Sequence, residues 1–188
     1  DTLNYEPGED IFPYLKPGSP IELSKIIMLM MTISDNNASL CLQGLAGTGI
    51  AINKLMDSLG YGKTRVNSRT PGRESFRKEF GWGQTTPREM GQIFQDIAER
   101  KMISPTVSDK MLRIMSRQYW DEEALEPIPA GVFTADKNGA VDQSRSEVLG
   151  IVFSGRRITG TAGSMWQPDF HGSSEHTAMA EYGSAVLV

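Results

Sequence analysis

Cysteine and long apolar runs are both scarce in this sequence. The single cysteine, Cys41, excludes an internal disulfide, and its apolar neighbours Leu40 and Leu42 indicate a small buried hydrophobe rather than a reactive thiol. The longest apolar run, at 26–33, is interrupted by Thr32 and is much shorter than the about 20 residues that cross a bilayer. We therefore expect a chain without a disulfide and without a membrane span.

A basic stripe is also missing. The 188 residues include 19 Lys and Arg against 23 Asp and Glu, which gives a formal net charge of -4, and no long run of like charge occurs. Nucleic-acid-binding domains usually carry a clustered excess of positive charge. The composition therefore favours a small-molecule or peptide substrate over a nucleic-acid partner, and the length suits one globular domain.

Histidine, a common zinc ligand, is scarce as well. The two histidines, His171 and His176, have Asp169 and Glu175 nearby, which makes a zinc pair conceivable. Neither further ligands nor a helical HExxH arrangement accompany them, so we interpret both histidines as surface residues. We expect no metal and no cofactor.

Helices are predicted for roughly the first two thirds of the chain. The segments Ser19-Pro20-Ile21-Glu22 and Thr86-Pro87-Arg88-Glu89 each fit a capping box, and Gly47-Thr48-Gly49 fits a turn that opens a helix. The predicted helices cover about 19–31, 38–45, 47–59, 86–100 and 104–119. A long loop without periodicity is expected over 63–85, and loops of this length are usually functional.

Short β-branched or aromatic runs follow Pro129 and predict strands at 131–135, 148–153 and 157–161, while Ala-rich sequence at 173–188 predicts a last helix. Helices followed by antiparallel strands indicate an α+β fold. We predict one partial domain over 1–188, with a helical part at about 19–128 and a strand part at about 129–188. Both ends stop abruptly, as expected for a piece of a larger domain.

Three short motifs occur in order along the chain. Ser34-Asp35-Asn36 lies at a predicted helix break, Thr85-Thr86-Pro87 follows the long loop, and Lys137-Asn138-Gly139 closes a predicted strand. The surrounding sequences MMTISDNNA (30–38) and TRVNSRTPG (64–72) closely resemble class A β-lactamases and related penicillin-binding serine hydrolases. This resemblance spans about 17–183 and implies a serine β-lactamase/transpeptidase-like fold.

The resemblance also implies roles for the helix-break motif. Ser34 matches a hydroxyl that passes a proton to the leaving nitrogen, and Asn36 matches the amide that holds the acylamino side chain of the substrate. Asp35 is expected to anchor the turn rather than to touch substrate.

The strand motif is expected to bind the substrate's other end. Lys137 would face the same cleft as Ser34, where its ammonium attracts the substrate carboxylate and biases proton transfer through the serine hydroxyl. Asn138 and Gly139 would line this strand edge, and Arg145 would share the work of binding the carboxylate. Asn138 replaces the threonine or serine of the family motif, so the hydroxyl contact is lost, although an amide can still donate.

The nucleophile of the family's Ser-x-x-Lys motif is not found upstream of Ser34. It should lie farther upstream than the 33 residues that precede Ser34 in this sequence. We interpret the one match, Ser75 to Lys78, as accidental because it falls in the long loop, where helix context is lacking. We therefore expect that this chain alone does not acylate, and that a missing N-terminal segment or a second chain supplies the serine.

The general base of the long loop is also replaced. Class A enzymes carry a glutamate at the position of Thr70, where threonine is a poor base. Glu74 stands where the family usually has asparagine; it either substitutes for the base or is a solvated loop carboxylate.

Three functions stay open at this stage. The first is a serine hydrolase that opens β-lactam bonds through an acyl-enzyme, with deacylation slowed by the missing glutamate. The second is a D-Ala-D-Ala peptidase that acts on a peptidoglycan-like substrate, and the third is an inactive binding domain of the same fold. The resemblance implies a periplasmic or secreted protein.

Overall fold

A computed structural model describes residues 10–120, 124–141, 144–153 and 156–166. After a short 3₁₀ turn at Phe12–Tyr14, six helices and five strands follow. They are α1 Leu23–Thr32, α2 Asn36–Leu45, α3 Thr48–Ser58, β1 Arg65–Val66, α4 Glu74–Phe80, β2 Gly83–Gln84, α5 Pro87–Ala98, α6 Pro105–Met115, β3 Phe133–Val141, β4 Ser144–Phe153 and β5 Arg156–Trp166. This order confirms the predicted α+β class.

Two compact units make up the chain, Asp1–Glu89 and Met90–Val188. The first holds the S-D-N turn and the long loop, and the second holds the three-stranded sheet. The prediction of one domain with a change of texture near residue 129 stays a prediction. Within the described part of the chain, no helix is both long and apolar enough to cross a membrane.

In the first unit, the core forms where α1 meets α2, with Ile26, Ala38 and Leu40 buried. The predicted capping box at 19–22 is wrong. Helix α1 begins at Leu23, and Glu22 precedes it in an extended conformation without a capping side-chain hydrogen bond. The Glu22 carboxylate instead accepts from the Ser24 hydroxyl at 3.4 Å, so the charge does not reach back to the chain before the helix.

The predicted long loop is only partly a loop. It contains α4 and the antiparallel pair β1–β2, in which Arg65 is opposite Gln84. Helix α4 has its acidic residue, Glu74, in the first turn and its basic residues, Arg77 and Lys78, in the last turn. Each charge therefore lies at the helix end where the helix dipole stabilises it. Seven residues are too few for a visible apolar period, which explains why the pattern did not reveal this helix.

In the second unit, helix α6 has the expected cap: the Ser104 hydroxyl accepts from the Val107 N–H at 3.3 Å. The Thr86 hydroxyl likewise accepts from the Glu89 N–H at 3.2 Å and caps α5, where the two units meet in sequence. The Glu89 carboxylate does not complete the capping box; it accepts from the Lys63 N–H and the Thr64 hydroxyl. Both helices end a few residues before the predicted positions.

The three-stranded sheet is antiparallel in the order β3-β4-β5. Strands β4 and β5 contain the predicted runs 148–153 and 157–161, whereas β3 begins at Phe133, two residues after the start of the predicted run 131–135; all three strands are longer than predicted. Lys137-Asn138-Gly139 lies inside β3, whose pairing with β4 continues to Val141 opposite Ser144. The prediction that this motif closes a strand is therefore wrong. The predicted helix at 173–188 lies outside the described residues.

Candidate functional site

The S-D-N turn joins α1 to α2. Ser34 has φ 60, which is left-handed backbone that a non-glycine residue adopts only where its surroundings hold it. Asn36 is the first residue of α2. The predicted helix break is confirmed, and the Ser34 and Asn36 side chains are both half-buried at this junction.

Asp35 holds the turn. Its buried carboxylate accepts from the Ala38 N–H at 2.8 Å, which caps α2, and from the N–H groups of Ile11 and Phe12, both at 2.8 Å. The carboxylate therefore satisfies three backbone donors, one of them at a helix N-terminus where negative charge is favoured. The expected anchoring role of Asp35 is confirmed.

Asp10 is a second buried carboxylate at the same turn. It accepts from the backbone N–H of Asn36 at 3.0 Å and of Asn37 at 3.2 Å, and from their side-chain amides at 3.4 and 2.7 Å, respectively. Asp10 is not among the predicted site residues. The sequence carries no signal for it, because nothing local relates residue 10 to a turn 26 positions later.

The long loop is braced against the helices of the first unit. The Gln43 side-chain NH2 donates to the Ser68 backbone carbonyl, and the Ser68 hydroxyl donates to Gln43 Oε1 at 2.8 Å. Arg73 donates to Asn67 at 2.6 Å and to Gln84 at 2.9 Å. These contacts tie both ends of the segment that contains Thr70.

Thr70 is buried, and its hydroxyl donates to the Ser68 carbonyl at 2.9 Å. Gly49 of α3 faces it so closely that an added Cβ would lie 1.8 Å from the Thr70 hydroxyl oxygen. Glu74 is exposed at the start of α4 and accepts from the Gly72 N–H at 3.1 Å. The roles of these two positions in deacylation stay predictions.

Ser75 and Lys78 lie one turn apart on α4, so the expectation that they lack helix context is wrong. Both side chains are exposed on this short helix. Catalytic serine and lysine side chains usually lie in a concave pocket, whereas this pair lies on an exposed helix surface. The match to Ser-x-x-Lys therefore remains accidental in our interpretation.

Lys137 is half-buried in β3. Its Nζ donates to the Asn138 carbonyl oxygen at 2.8 Å and to Asn138 Oδ1 at 3.2 Å. Burial lowers the pKa of Lys137 to about 8, against the opposing effect of the Asp136 and Glu147 carboxylates. At neutral pH the ammonium is therefore still mostly charged, but it is much closer to deprotonation than an ordinary lysine.

Two buried carboxylates accompany this lysine. Burial raises the pKa of Asp136 to about 6, while the Lys137 charge acts in the opposite direction. Asp136 Oδ2 has no hydrogen-bond partner among the described residues. Glu147, opposite Asn138 in the sheet, accepts from the Ala124 N–H at 3.1 Å.

The other predicted strand residues have defined positions in the sheet. Gly139 pairs with Ser146, and a Cβ on this glycine would lie 3.0 Å from the Ser146 hydroxyl oxygen. Arg145 in β4 is opposite Ala140 of β3 and Met165 of β5.

The predicted site residues therefore form two groups. Ser34, Asn36, Thr70 and Glu74 lie in the first unit, and the group 137–139 lies with Arg145 in the second. The hypothesis that Ser34 and Lys137 share a cleft involves both units and stays a prediction. The described residues contain no cluster of three His, Cys, Asp or Glu side chains that would hold a metal ion, and His171 and His176 lie outside those residues.

Comparisons with known proteins give one family. Residues 2–186 match the model of the beta-lactamase enzyme family. No curated protein matches the chain.

Solved structures share the fold. A beta-lactamase from Sphaerobacter thermophilus is similar with a TM-score of 0.74 and 21% identity, over 88% of this chain and 62% of that one. A PBP-A variant, described as an acyl-enzyme complex with penicillin G, gives a TM-score of 0.76 and 20% identity over 93% and 63%. A class A beta-lactamase from Bacteroides cellulosilyticus is similar with a TM-score of 0.74 and 16% identity, over 95% of this chain and 66% of that one. The chain thus spans about two thirds of the length of these structures.

Proposed function

Because this chain belongs to the beta-lactamase enzyme family, we propose that it provides the S-D-N and strand parts of a serine acyl-transfer site that opens β-lactam bonds. No Ser-x-x-Lys motif precedes Ser34 within the 188 residues, so the proposal covers the S-D-N and strand parts of the site and not its nucleophile. The family match over 2–186 carries the proposal.

The S-D-N turn supports a role in proton transfer. Ser34 has a left-handed backbone conformation between two helices, and the buried carboxylate of the adjacent Asp35 anchors this turn. A hydroxyl held in this way needs little reorganisation to pass a proton to the nitrogen that leaves when the lactam ring opens. Asn36 then binds the acylamino side chain of the substrate.

The strand motif supports recognition of the substrate carboxylate. Lys137 supplies a partly desolvated ammonium, and Arg145 supplies a guanidinium on the neighbouring strand. Charge-assisted hydrogen bonds to a carboxylate are stronger in such surroundings than in water. The Asn138 amide and the backbone at Gly139 complete this part of the site.

The long loop favours slow deacylation. The buried Thr70 hydroxyl donates to a backbone carbonyl and is a weak base, so it does not replace a glutamate that activates water. Glu74 caps a turn from an exposed position and acts as a solvated carboxylate. We therefore propose that the acyl-enzyme persists, which is compatible with the penicillin G adduct described for the PBP-A variant.

The test uses the complete protein with nitrocefin and penicillin G. We expect a covalent penicilloyl adduct in the mass spectrum that decays slowly, and peptide mapping should place it on a serine other than Ser34 and Ser75. Ser34→Ala should slow acylation, whereas the matched control Ser75→Ala on exposed α4 should leave it unchanged. Absence of any adduct would sink the proposal and favour an inactive binding domain.

A second candidate function is a D-Ala-D-Ala peptidase, and the specific observation that favours it is Thr70 at the position of the base. Such an enzyme passes its acyl group on without that glutamate. Faster cleavage of a D-Ala-D-Ala peptide than hydrolysis of the lactam would select this function. In either case we propose a periplasmic or secreted site of action.

A further inference from the structure

We propose that Asp10 is a positioning residue that orients the Asn36 amide toward the substrate. This inference rests on the proposed function, because Asn36 is the residue through which Asp10 acts. Asp10 is 7% exposed, and it belongs to the segment before α1 rather than to the S-D-N turn itself.

Four donors converge on this one carboxylate. Both oxygens of Asp10 are used: Oδ1 accepts from Asn36 through its backbone and side-chain nitrogens, and Oδ2 accepts from Asn37 in the same two ways. Asn36 and Asn37 open α2, so the negative charge also lies at a helix N-terminus, where it is favoured. These four contacts satisfy both oxygens of the buried carboxylate, as a buried polar group requires.

The contact fixes which way the Asn36 amide faces. A side-chain NH2 group has two hydrogens and its carbonyl oxygen accepts. Asn36 Nδ2 lies 3.4 Å from Asp10 Oδ1 and donates one of its hydrogens to it. A half-turn of the amide is disfavoured because it would place the amide oxygen against the carboxylate. The second hydrogen then stays available for the carbonyl oxygen of an acylamino side chain.

Reciprocal hydrogen bonds join the segment before α1 to the S-D-N turn. Asp35 of the turn accepts from the N–H groups of Ile11 and Phe12, the two residues after Asp10, while Asp10 accepts from the two residues after Asp35. Each segment therefore supplies the carboxylate that the backbone of the other requires. Removing Asp10 should loosen Asn36 while Asp35 still caps α2 through Ala38.

The test compares two substrates in the complete protein. Penicillin G carries an acylamino side chain and 6-aminopenicillanic acid does not. For Asp10→Asn we expect acylation by penicillin G to slow about 10- to 100-fold, as for the loss of a buried charge-assisted hydrogen bond. Acylation by 6-aminopenicillanic acid should change less than about 3-fold. Asp10→Glu, which keeps the carboxylate, should recover part of the loss.

A double-mutant cycle identifies the residue through which Asp10 acts. In an Asn36→Ala background, Asp10→Asn should have little further effect on acylation by penicillin G, since the group it orients is already gone. Equal losses for both substrates, or additive effects in the cycle, would show that Asp10 only stabilises the fold and would overturn the inference.

Side-chain NMR separates this inference from the proposed function. The Asn36 NH2 hydrogens should exchange with solvent at least about 10-fold faster in Asp10→Asn than in the unmodified protein, which needs no catalysis. If the unmodified protein forms no acyl-enzyme, the proposed function fails, and the exchange rates still report whether Asp10 holds Asn36. Unchanged exchange would overturn the positioning role by itself.

Discussion

Asp136 and Lys137 are sequence neighbours whose pKa values are both shifted toward the neutral form. Burial raises the pKa of Asp136 to about 6 and lowers that of Lys137 to about 8, and in each case the opposite charge next to it limits the shift. Between these two values both groups are mainly charged. Near neutral pH the Lys137 ammonium is therefore retained beside a buried carboxylate, one oxygen of which has no hydrogen-bond partner within the described part of the chain.

The raised pKa of Asp136 predicts how the free energy of unfolding depends on pH. Because the pKa of Asp136 is raised in the folded state, its contribution to stability is present below about pH 4 and is lost as pH rises through about 6. Asp136→Asn removes the titration, so the variant should gain up to about 3 kcal/mol relative to the unmodified protein between about pH 4 and pH 7. Urea unfolding across this range measures the difference.

The matched control is Glu79→Gln, which changes an exposed carboxylate on α4. Its free energy of unfolding should differ from that of the unmodified protein by less than about 0.5 kcal/mol at each pH. A difference for Asp136→Asn that does not vary with pH would contradict the buried-carboxylate interpretation.

Lys137 predicts a second pH effect, on acylation. The ammonium is lost as pH rises through about 8, so the acylation rate with a carboxylate-bearing lactam should fall above that value. Lys137→Arg keeps a positive charge at all accessible pH values and should move the decline to higher pH, although its absolute rate is lower. Stopped-flow nitrocefin kinetics measure both profiles; identical profiles for the two proteins would exclude Lys137 as the titrating group.

At the scale of helices and strands, the sequence predicted what local chemistry determines. Helix α3 starts after Gly47, with φ 87, and ends before Gly60, also with φ 87, as the turn residues indicated. The Ser104 cap is equally local. Helix α1 starts later than predicted, and the Glu22 carboxylate accepts from the Ser24 hydroxyl instead of completing a capping box, which spacing alone does not reveal.

Gly49 shows how closely α3 approaches the long loop. Gly49→Ala would place a methyl group 1.8 Å from the Thr70 hydroxyl, so the helix or the loop must shift. We expect a loss of about 1 to 3 kcal/mol in the free energy of unfolding, as for other overpacked sites. Gly44→Ala in α2 is the control: apart from the neighbouring backbone of its own helix, no atom of the described residues lies within 4 Å of the added methyl, and the variant should gain up to about 1 kcal/mol from helix propensity.

Thermal or urea unfolding of the two glycine variants gives the comparison. A Gly49→Ala protein as stable as Gly44→Ala would mean that Thr70 moves away without cost, and the loop would then be less tightly braced than its hydrogen bonds indicate. Hydrogen exchange of the Ser68 and Thr70 amides would show directly whether the loop has loosened.

At the scale of the whole molecule, the candidate site was only partly predictable. The motifs predicted Ser34, Asn36 and Lys137 as site residues because the family resemblance fixes their order along the chain, and their common cleft stays a prediction. Asp10 and Asp136 were missed because their importance comes from burial and from contacts that span many residues or two strands. Periodicity and capping describe neighbours in sequence, whereas a site depends on which distant segments the fold brings together.

The first unit also exposes a connected apolar surface. A cavity of about 330 Å³ is lined mainly by apolar side chains from the segment before α1 and from α1 itself, including Ile11, Leu15, Ile21 and Met28. Ile11 is 48% exposed and Ile21 is 36% exposed. Connected apolar surface of this kind favours association between molecules, unlike single exposed apolar residues.

This surface predicts self-association of the 188-residue chain when it is produced alone. The tendency should be greatest near pH 5.3, where the net charge vanishes and repulsion is weakest, and smaller at higher pH. Ile21→Lys places a charge in the cavity lining and should shift light-scattering masses toward the 20.7 kDa monomer. Leu45→Lys changes a residue that is more exposed, at 68%, but does not line the cavity, so it should leave association unchanged. An equal effect of both lysines would attribute the association to net charge alone, since each adds the same positive charge and only one of them interrupts the apolar surface.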